Sequence, residues 1–330
     1  MIDLVDFDNV KIAKGVYYGG DAGAKNAVLY EGEAWMVKYP KTTRALEKPQ
    51  TSYTTSPLSE HIGSKIYEAL DIPVHETMLG MQDGKIVVAC KDFTRKWYDE
   101  LPWGGCGLWL EKLLVPFHDL KNSFMCSGVD LFSGAGSETL LDEVLATING
   151  QDELKSMPGV SERFWDMFVI DAFIGNKDRH NGNWGILVDQ RNGDAVLAPV
   201  YDNGNAFFNK RSAAQMAKRI CNERSMREDA YQNPLCTHKY IGSENEAQQI
   251  NPYAYIRQCD NQDCNGAVLR FVSKVDMNVI EGIIRCIPEA VGDLAVMPEV
   301  QKEFYLEIMR MRLDHVLMPV AQELLRTQSR

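Results

Sequence analysis

A single helix set among strands in the first ninety residues restricts the folds open to this chain. The stretch SPLSEHIGSKIYEALDIP, Ser56 to Pro73, places Leu58, Ile62, Ile66 and Leu70 four residues apart, which makes one buried stripe. Ser56 is the expected N-cap. Pro57 sits at the first helical position, where its missing N–H costs nothing, and Pro73 stops the helix. Upstream, the glycine-bearing turn YYGGDAG feeds the apolar run KNAVLY. A tight turn at Glu31-Gly32 leads into AWMVK, which Pro40 ends. Residues 42–55 are polar without periodicity and read as a loop. Downstream, strands over 75–79 and 85–90 flank a hairpin signal at Asp83-Gly84. Residues 16–90 therefore read β-β-α-β-β.

After Lys91 the character changes. RKWYDELPWGGCGLW is aromatic and irregular, and the following signals are mostly helical, over 138–149, 161–175, 252–257, 275–286 and 298–326. In the second of these, Phe164, Phe168 and Ala172 recur alongside Trp165, Val169 and Phe173, so this helix is buried over a wide face. A boundary near residue 93 divides a β-rich part, 1–93, from a mainly helical part, 94–330. Residues 205–250 are polar, hold Lys210, Arg211, Lys218, Arg219, Arg224 and Arg227 and lack periodicity. They read as a long loop.

The chain has 330 residues and is 45% hydrophobic and 25% charged, which supplies ample material for a core. Its net charge of −11 argues against coating nucleic acid by bulk electrostatics, so no direct nucleic-acid binding is expected. No membrane span is expected, because no run of about 18 apolar residues occurs. The acidic N-terminus lacks the order of a signal peptide, and a cytoplasmic protein is expected. Eight scattered cysteines fit that reading. The spacings of Cys236 with His238 and of Cys259 with Cys264 are loose for zinc, and these read as free thiols.

GNKDRHNGNWGIL, Gly175 to Leu187, packs an Asp, an Arg, a His and three Asn into nine positions between apolar runs. Phosphoryl transfer calls for such polarity. A site for it holds magnesium on hard oxygen ligands, orients an acceptor hydroxyl and neutralises phosphate charge. In protein kinases an Asp precedes a metal-binding Asn by five residues, and a second metal Asp follows in an Asp-x-Gly turn after a hairpin. Here Asp178 precedes Asn183 by five, a hairpin turns at Asn192-Gly193, and Asp202-Asn203-Gly204 follows. Upstream lie the glycines of the first turn, a strand lysine, Lys38, and a glutamate near a helix start, Glu60. Glu60 either pairs with Lys38 or complements the helix dipole. His180 is either a structural histidine or a catalytic group. Arg179 anchors the loop, and Asn181 and Gly182 are turn residues. No cap or turn rule asks for Asp178, Asn183 and Asp202 together at these spacings.

At these residues the chain resembles the HipA-like protein kinases. DRHNGN with YDNG is similar to that family's catalytic and metal-binding motifs, and the pattern is shared more remotely with phosphoinositide kinases. SPLSEHIGSKIYEALDIP and GAKNAVLY are similar to the same family, and the likeness spans residues 16–205. The resemblance implies an α+β, bilobal protein-kinase-like fold and a serine/threonine kinase using ATP and magnesium, or manganese in its place. It implies Asp178 as the catalytic Asp with His180 beside it, and Asn183 and Asp202 as metal ligands. Lys38 would bind phosphate, supported by Glu60, with Gly20 and Gly23 over the nucleotide. The strand end at 88–93, with Val88, Cys90 and Phe93, would be the hinge against which adenine lies. Full-length HipA toxins carry a subdomain before the glycine turn, which is preceded here by about fifteen residues. The likeness is therefore to the compact kinases of the cell-translocating kinase A type. YYGGDAG has no Ser or Thr, so self-inhibition by phosphorylation there is not implied, and neither is an antitoxin partner.

The expected activity is transfer of the ATP γ-phosphate to a hydroxyl of a protein substrate. A lipid or small-molecule kinase and an inactive kinase-fold binding module are the alternatives. Autophosphorylation is expected within 205–250, at Ser212, Ser225 or Thr237, where nearby basic residues would meet the phosphate.

Overall fold

A computed structural model of the chain describes residues 2–13, 16, 18, 24–47, 49, 51–101, 104–125, 137–243 and 245–328. The first part builds on strands β1 (Val5–Asp6), β2 (Lys11–Ile12), β3 (Lys25–Tyr30) and β4 (Glu33–Lys38), helix α1 (Ser56–Ala69), and strands β5 (Thr77–Gln82) and β6 (Lys85–Lys91). They form one sheet in the order β1-β5-β6-β4-β3-β2, antiparallel except where β1 runs along β5. The expected β-β-α-β-β core is present.

Strand alternation decides which face each residue meets. Trp35, Val37, Val87 and Ala89 join Phe7 and Val28 in a small apolar cluster on one face. Val88 and Cys90, the intervening residues of β6, join the main core on the other face, with Leu58, Ile62, Ile66 and Leu70 of α1. Lys38 stands opposite Val88 and so projects toward α1 as well.

Two boundaries shift for readable reasons. The N-cap of α1 is Thr55 rather than Ser56, and it makes no side-chain cap bond. Its N–H and Oγ1 are instead both drawn to the Asn209 carbonyl, at 2.8 and 3.4 Å. The strand expected from residue 75 starts at Thr77, because His75 donates its N–H to the Val200 carbonyl at 3.0 Å.

Beyond the sheet come β7 (Arg95–Tyr98), β8 (Gly107–Leu110), β9 (Lys112–Pro116), α2 (Phe117–Met125), α3 (Leu141–Gly150), α4 (Asp152–Ser156) and α5 (Val160–Ile174). β10 (Gly185–Asp189) pairs with β11 (Ala195–Leu197) in the expected hairpin, and with β9. Twelve of the 15 residues of α5 are buried, so it serves as the central helix. Next are α6 (Ala213–Ile220), α7 (Glu223–Arg227), a π turn at Glu228–Gln232, β12 (Lys239–Ile241), β13 (Ala247–Gln249), α8 (Pro252–Gln258) and α9 (Gln262–Lys274). The chain closes with α10 (Met277–Arg285), β14 (Ala290–Val291), β15 (Leu294–Ala295), α11 (Glu299–Arg312) and α12 (Met318–Gln328).

The loop expected over 205–250 is therefore corrected. Ser212 and Asn222 cap two short helices by accepting the N–H groups of Gln215 and Ser225, and Met216, Met226 and Ala230 anchor them in the core. Their turns are too few to show a period. The arginines awaiting a phosphate are already paired: Arg211 and Arg219 with Asp229, Arg224 with Glu228, and Arg227 with Glu223. The single helix expected over 298–326 is interrupted by a π turn at Leu313–Leu317. Pro319 has no N–H for the His315 carbonyl, which accepts from Arg257 instead, at 3.2 Å. The helix α9 was not anticipated. Cys90, Cys106, Cys221, Cys236, Cys259, Cys264 and Cys286 are free thiols, as expected, and Cys126 lies outside the described residues.

Burial pushes the pKa of His61 and of His238 down to about 4. Both are thus neutral in the fold yet protonate near 6.5 in the unfolded chain. The unfolded state binds more protons between these values, so stability is full above about pH 6.5 and falls as pH drops toward 4. Each histidine should remove ~2 kcal/mol between pH 7.5 and 5. Urea titrations at the two pH values check this, and His61→Gln or His238→Gln should flatten the dependence.

Candidate active site

Three segments deliver charge to one point. Lys38, the last residue of β4, places Nζ 3.0 Å from Glu60 Oε2 on α1 and 3.0 Å from Asp202 Oδ1 beyond β11. Lys38 is 8% exposed and Glu60 1%, so pairing with Lys38 rather than a helix-dipole role is what the fold gives Glu60. Burial works against the Lys38 ammonium, but Glu60 and Asp202 outweigh it and hold its pKa well above the usual lysine value. Burial alone would push Glu60 up. Lys38, His75 and the Asn203 N–H pull it further the other way, below the usual carboxylate range. Lys38 likewise holds Asp202 down, against its burial.

Asp202 adopts a left-handed backbone, φ 61°, which Asp tolerates better than most residues and which turns its carboxylate to Lys38. The next residue links the lobes. Asn203 N–H donates to Glu60 Oε1 at 2.9 Å, and its Nδ2 donates to Ser64 Oγ at 3.1 Å. Gly63 allows this approach, since a Cβ there would stand 2.9 Å from Asn203 Cβ. His75 adds a third partner, with Nε2 3.0 Å from Glu60 Oε1.

The polar loop begins where Gly175, in the left-handed region at φ 72°, ends α5. Arg179 anchors it from beneath, as expected. Nε donates to Asp171 Oδ2 at 2.8 Å and Nη2 to Oδ1 at 3.2 Å. Nη1 donates to the carbonyls of Asn183, at 3.0 Å, and of Tyr201, and Nη2 also reaches Asn203 Oδ1. Asn183 Nδ2 donates to the Asp178 carbonyl at 2.7 Å, which fixes the loop and leaves the amide oxygen as a donor for a cation. A cleft of about 300 Å³ opens between these segments, lined among others by Lys38, Lys41, Val88, Asp178, Asp202 and Lys210.

Not every expected residue enters the cleft. His180 is exposed, and its Nδ1 accepts the Gly182 N–H at 3.0 Å, which closes the turn. Cys90 is buried below the sheet beside Glu60 and His75. Phe93 rests against Tyr201, with ring centroids 5.9 Å apart. Gly20 and Gly23 lie outside the described residues. His75, Asn203 and Asp171 were missed as site residues. Asp171 did leave a signal, a lone carboxylate in the apolar run VIDAFIG.

Lys38, Glu60, Asp178 and Asp202 thus share one cleft, whereas Asn183 is buried behind Asp178 and is not among the residues that wall it. Fold and cleft together define a two-lobed molecule of the protein-kinase-like class. Residues 20–262 match the HipA-like C-terminal domain, and the chain belongs to that family. It is 34% identical over 305 residues to the serine/threonine-protein kinase CtkA of Helicobacter pylori strain J99, over 91% of this chain and 82% of that protein. The crystal structure of a proinflammatory kinase CtkA from Helicobacter pylori superposes with a TM-score of 0.78 at 30% identity, over 97% of this chain and 98% of that one.

Removing Asp171 would strand Arg179, a guanidinium 4% exposed. Asp171→Ala should lower the unfolding free energy by ~3–5 kcal/mol. Arg224→Ala, which breaks an exposed pair, should change it by less than ~1 kcal/mol. Urea midpoints of the two variants decide between these.

Proposed function

We propose that this protein is an ATP- and magnesium-dependent serine/threonine protein kinase of the HipA-like type. The observation that carries the reading is the Lys38–Glu60–Asp202 contact, made in the cleft that Asp178 lines, in a chain similar to CtkA over nearly its whole length. Residues 1–93 form the small lobe and 94–330 the large one. Lys38, held by Glu60, binds the phosphates. Val88 forms part of the cleft wall where adenine packs, near the strand end that continues to Phe93.

The donor set fits a magnesium ion, since Asn183 offers an amide oxygen and Asp202 a carboxylate, both hard ligands. A bound ion supplies charge neutralisation between the phosphates. Asp178 accepts or orients the proton of the acceptor hydroxyl, which aligns its oxygen with the γ-phosphorus. Lys41 and Lys210 add positive charge along the cleft. His180 supports the turn rather than the chemistry. Among the described residues no helix is long and apolar enough to cross a membrane.

Radiolabelled ATP offered with the protein alone, with a generic basic protein and with lipid vesicles separates the substrate classes. Label should enter protein and stay out of lipid. Asp178→Asn should lose rate by ~10²-fold or more with little change in nucleotide affinity. Asp202→Asn should abolish turnover at saturating magnesium. Undiminished transfer by either variant contradicts the assignment of that residue, and label in lipid alone contradicts the protein substrate.

A further inference from the structure

Behind the Lys38 contact lies a second cluster, which shares Glu60 with the phosphate-binding contact and adds two groups, His75 and Cys90, that phosphoryl transfer does not use. Glu60, His75 and Cys90 each present one ligand atom, and the carboxylate oxygen, imidazole nitrogen and thiol sulfur all lie within 4.8 Å of one another. The residues are 1%, 4% and 1% exposed. They come from α1, the turn before β5, and β6. The strand alternation that turns Val88 toward the cleft also turns Cys90 inward to this point. His75 Nε2 stands 3.0 Å from Glu60 Oε1 and 3.1 Å from Ser64 Oγ.

Carboxylate, imidazole and thiol together are a donor set for a borderline-soft cation rather than for magnesium. Zinc binds nitrogen and oxygen at ~2.0–2.2 Å and sulfur at ~2.3 Å, so its ligands stand ~3–4 Å apart and a side-chain shift of about 1 Å closes the site. Charge also favours a cation. Lys38, Glu60 and Asp202 leave one negative charge in excess. A divalent ion that enters while the Cys90 thiol releases its proton to water adds one net positive charge and brings the cluster to neutrality. An approach exists away from the nucleotide cleft. A groove of about 390 Å³ behind α1 is walled by His75 and Ser64, and Glu68, Asp71 and Glu76 line it.

We propose that Glu60, His75 and Cys90 form a binding site for a thiophilic divalent cation of the zinc type, entered through the groove behind α1. Occupancy ties the Glu60 carboxylate to the cation, weakens its hold on Lys38 and so inhibits phosphotransfer. This second statement rests on the kinase reading, whereas the binding itself does not.

Cobalt(II), titrated into the magnesium-free protein, serves as the optical probe. A sulfur-to-cobalt charge-transfer band should saturate at one equivalent, and zinc should bleach it. Cys90→Ser and Cys90→Ala should lose the band, and His75→Gln should weaken binding at least ~10-fold. In the magnesium-ATP assay, zinc should inhibit the native protein, and the Cys90 variants should need at least ~10-fold more zinc. Absence of the band leaves only a hydrogen-bonded network around Glu60 and overturns the site. The same band in the Cys90 variants assigns it to another thiol, such as exposed Cys106 or Cys221, and also overturns it. Identical zinc inhibition of native protein and Cys90 variants places the effect at Asn183 and Asp202 and overturns the inhibitory role. If a Cys90 variant fails to fold by circular dichroism, unweakened cobalt binding by His75→Gln overturns the site instead. A native protein that forms the band but transfers no phosphate without zinc counts against the kinase reading alone.

Discussion

The ammonium of Lys38 is held between two carboxylates that belong to different parts of the molecule, and the surrounding structure is organised to keep it there. Each contact is 3.0 Å long, and the lysine and Glu60 are nearly closed to water. A buried charge without partners is costly, and a buried pair returns its desolvation cost only when the geometry is good and the remaining lone pairs are satisfied. Glu60 meets that condition. One oxygen serves Lys38, and the other accepts from the Asn203 N–H and approaches His75. The strand, the helix and the turn beyond β11 must therefore all be in place at once. A kinase gains from that dependence, because Lys38 is positioned only when the two lobes are correctly joined.

Beneath it, Arg179 repeats the arrangement in a second buried pair. Its guanidinium holds Asp171 on the central helix and the carbonyls of Asn183 and Tyr201, so the segments that carry Asn183 and Asp202 both hang from one side chain. Asn203 closes the circuit between the two pairs, touching Arg179 with its amide oxygen, Ser64 with its amide nitrogen and Glu60 with its backbone. The turn is thus fastened to α1 by hydrogen bonds. A directional, fully satisfied polar link of this kind fixes orientation more narrowly than an apolar contact. Gly63 on α1 permits it by leaving room for Asn203.

Much of this was readable along the chain. Asp178, Asn183 and Asp202 stood out because their spacing obeys no cap or turn rule, and the four central strands and α1 followed from turn signals beside apolar runs and a four-residue stripe, whereas the two-residue strands β1 and β2 are too short to leave a pattern. The reading of Glu60 stayed divided between a salt bridge and a dipole role, because both put an acid in the same place. Burial resolves it. His75 and Asp171 were invisible as site residues, since nothing near them in sequence names their partners, which lie 15 residues from His75 and eight from Asp171. Residues 205–250 were misread because two helices of eight and five residues, one by one, show too few turns for a period.

The sequence alone determined the β-β-α-β-β order of the first part, most of the longer helices and the polar residue types gathered at 175–183 and 202–204. These depend on local rules of period, capping and spacing. It did not determine which charges meet. That Lys38 lies against Glu60 and Asp202, that Cys90 turns inward to His75, and that the arginines of 205–250 are already paired all depend on contacts between distant segments. Such contacts form only when the apolar faces of sheet and helices pack, and water is excluded from the groups trapped between them.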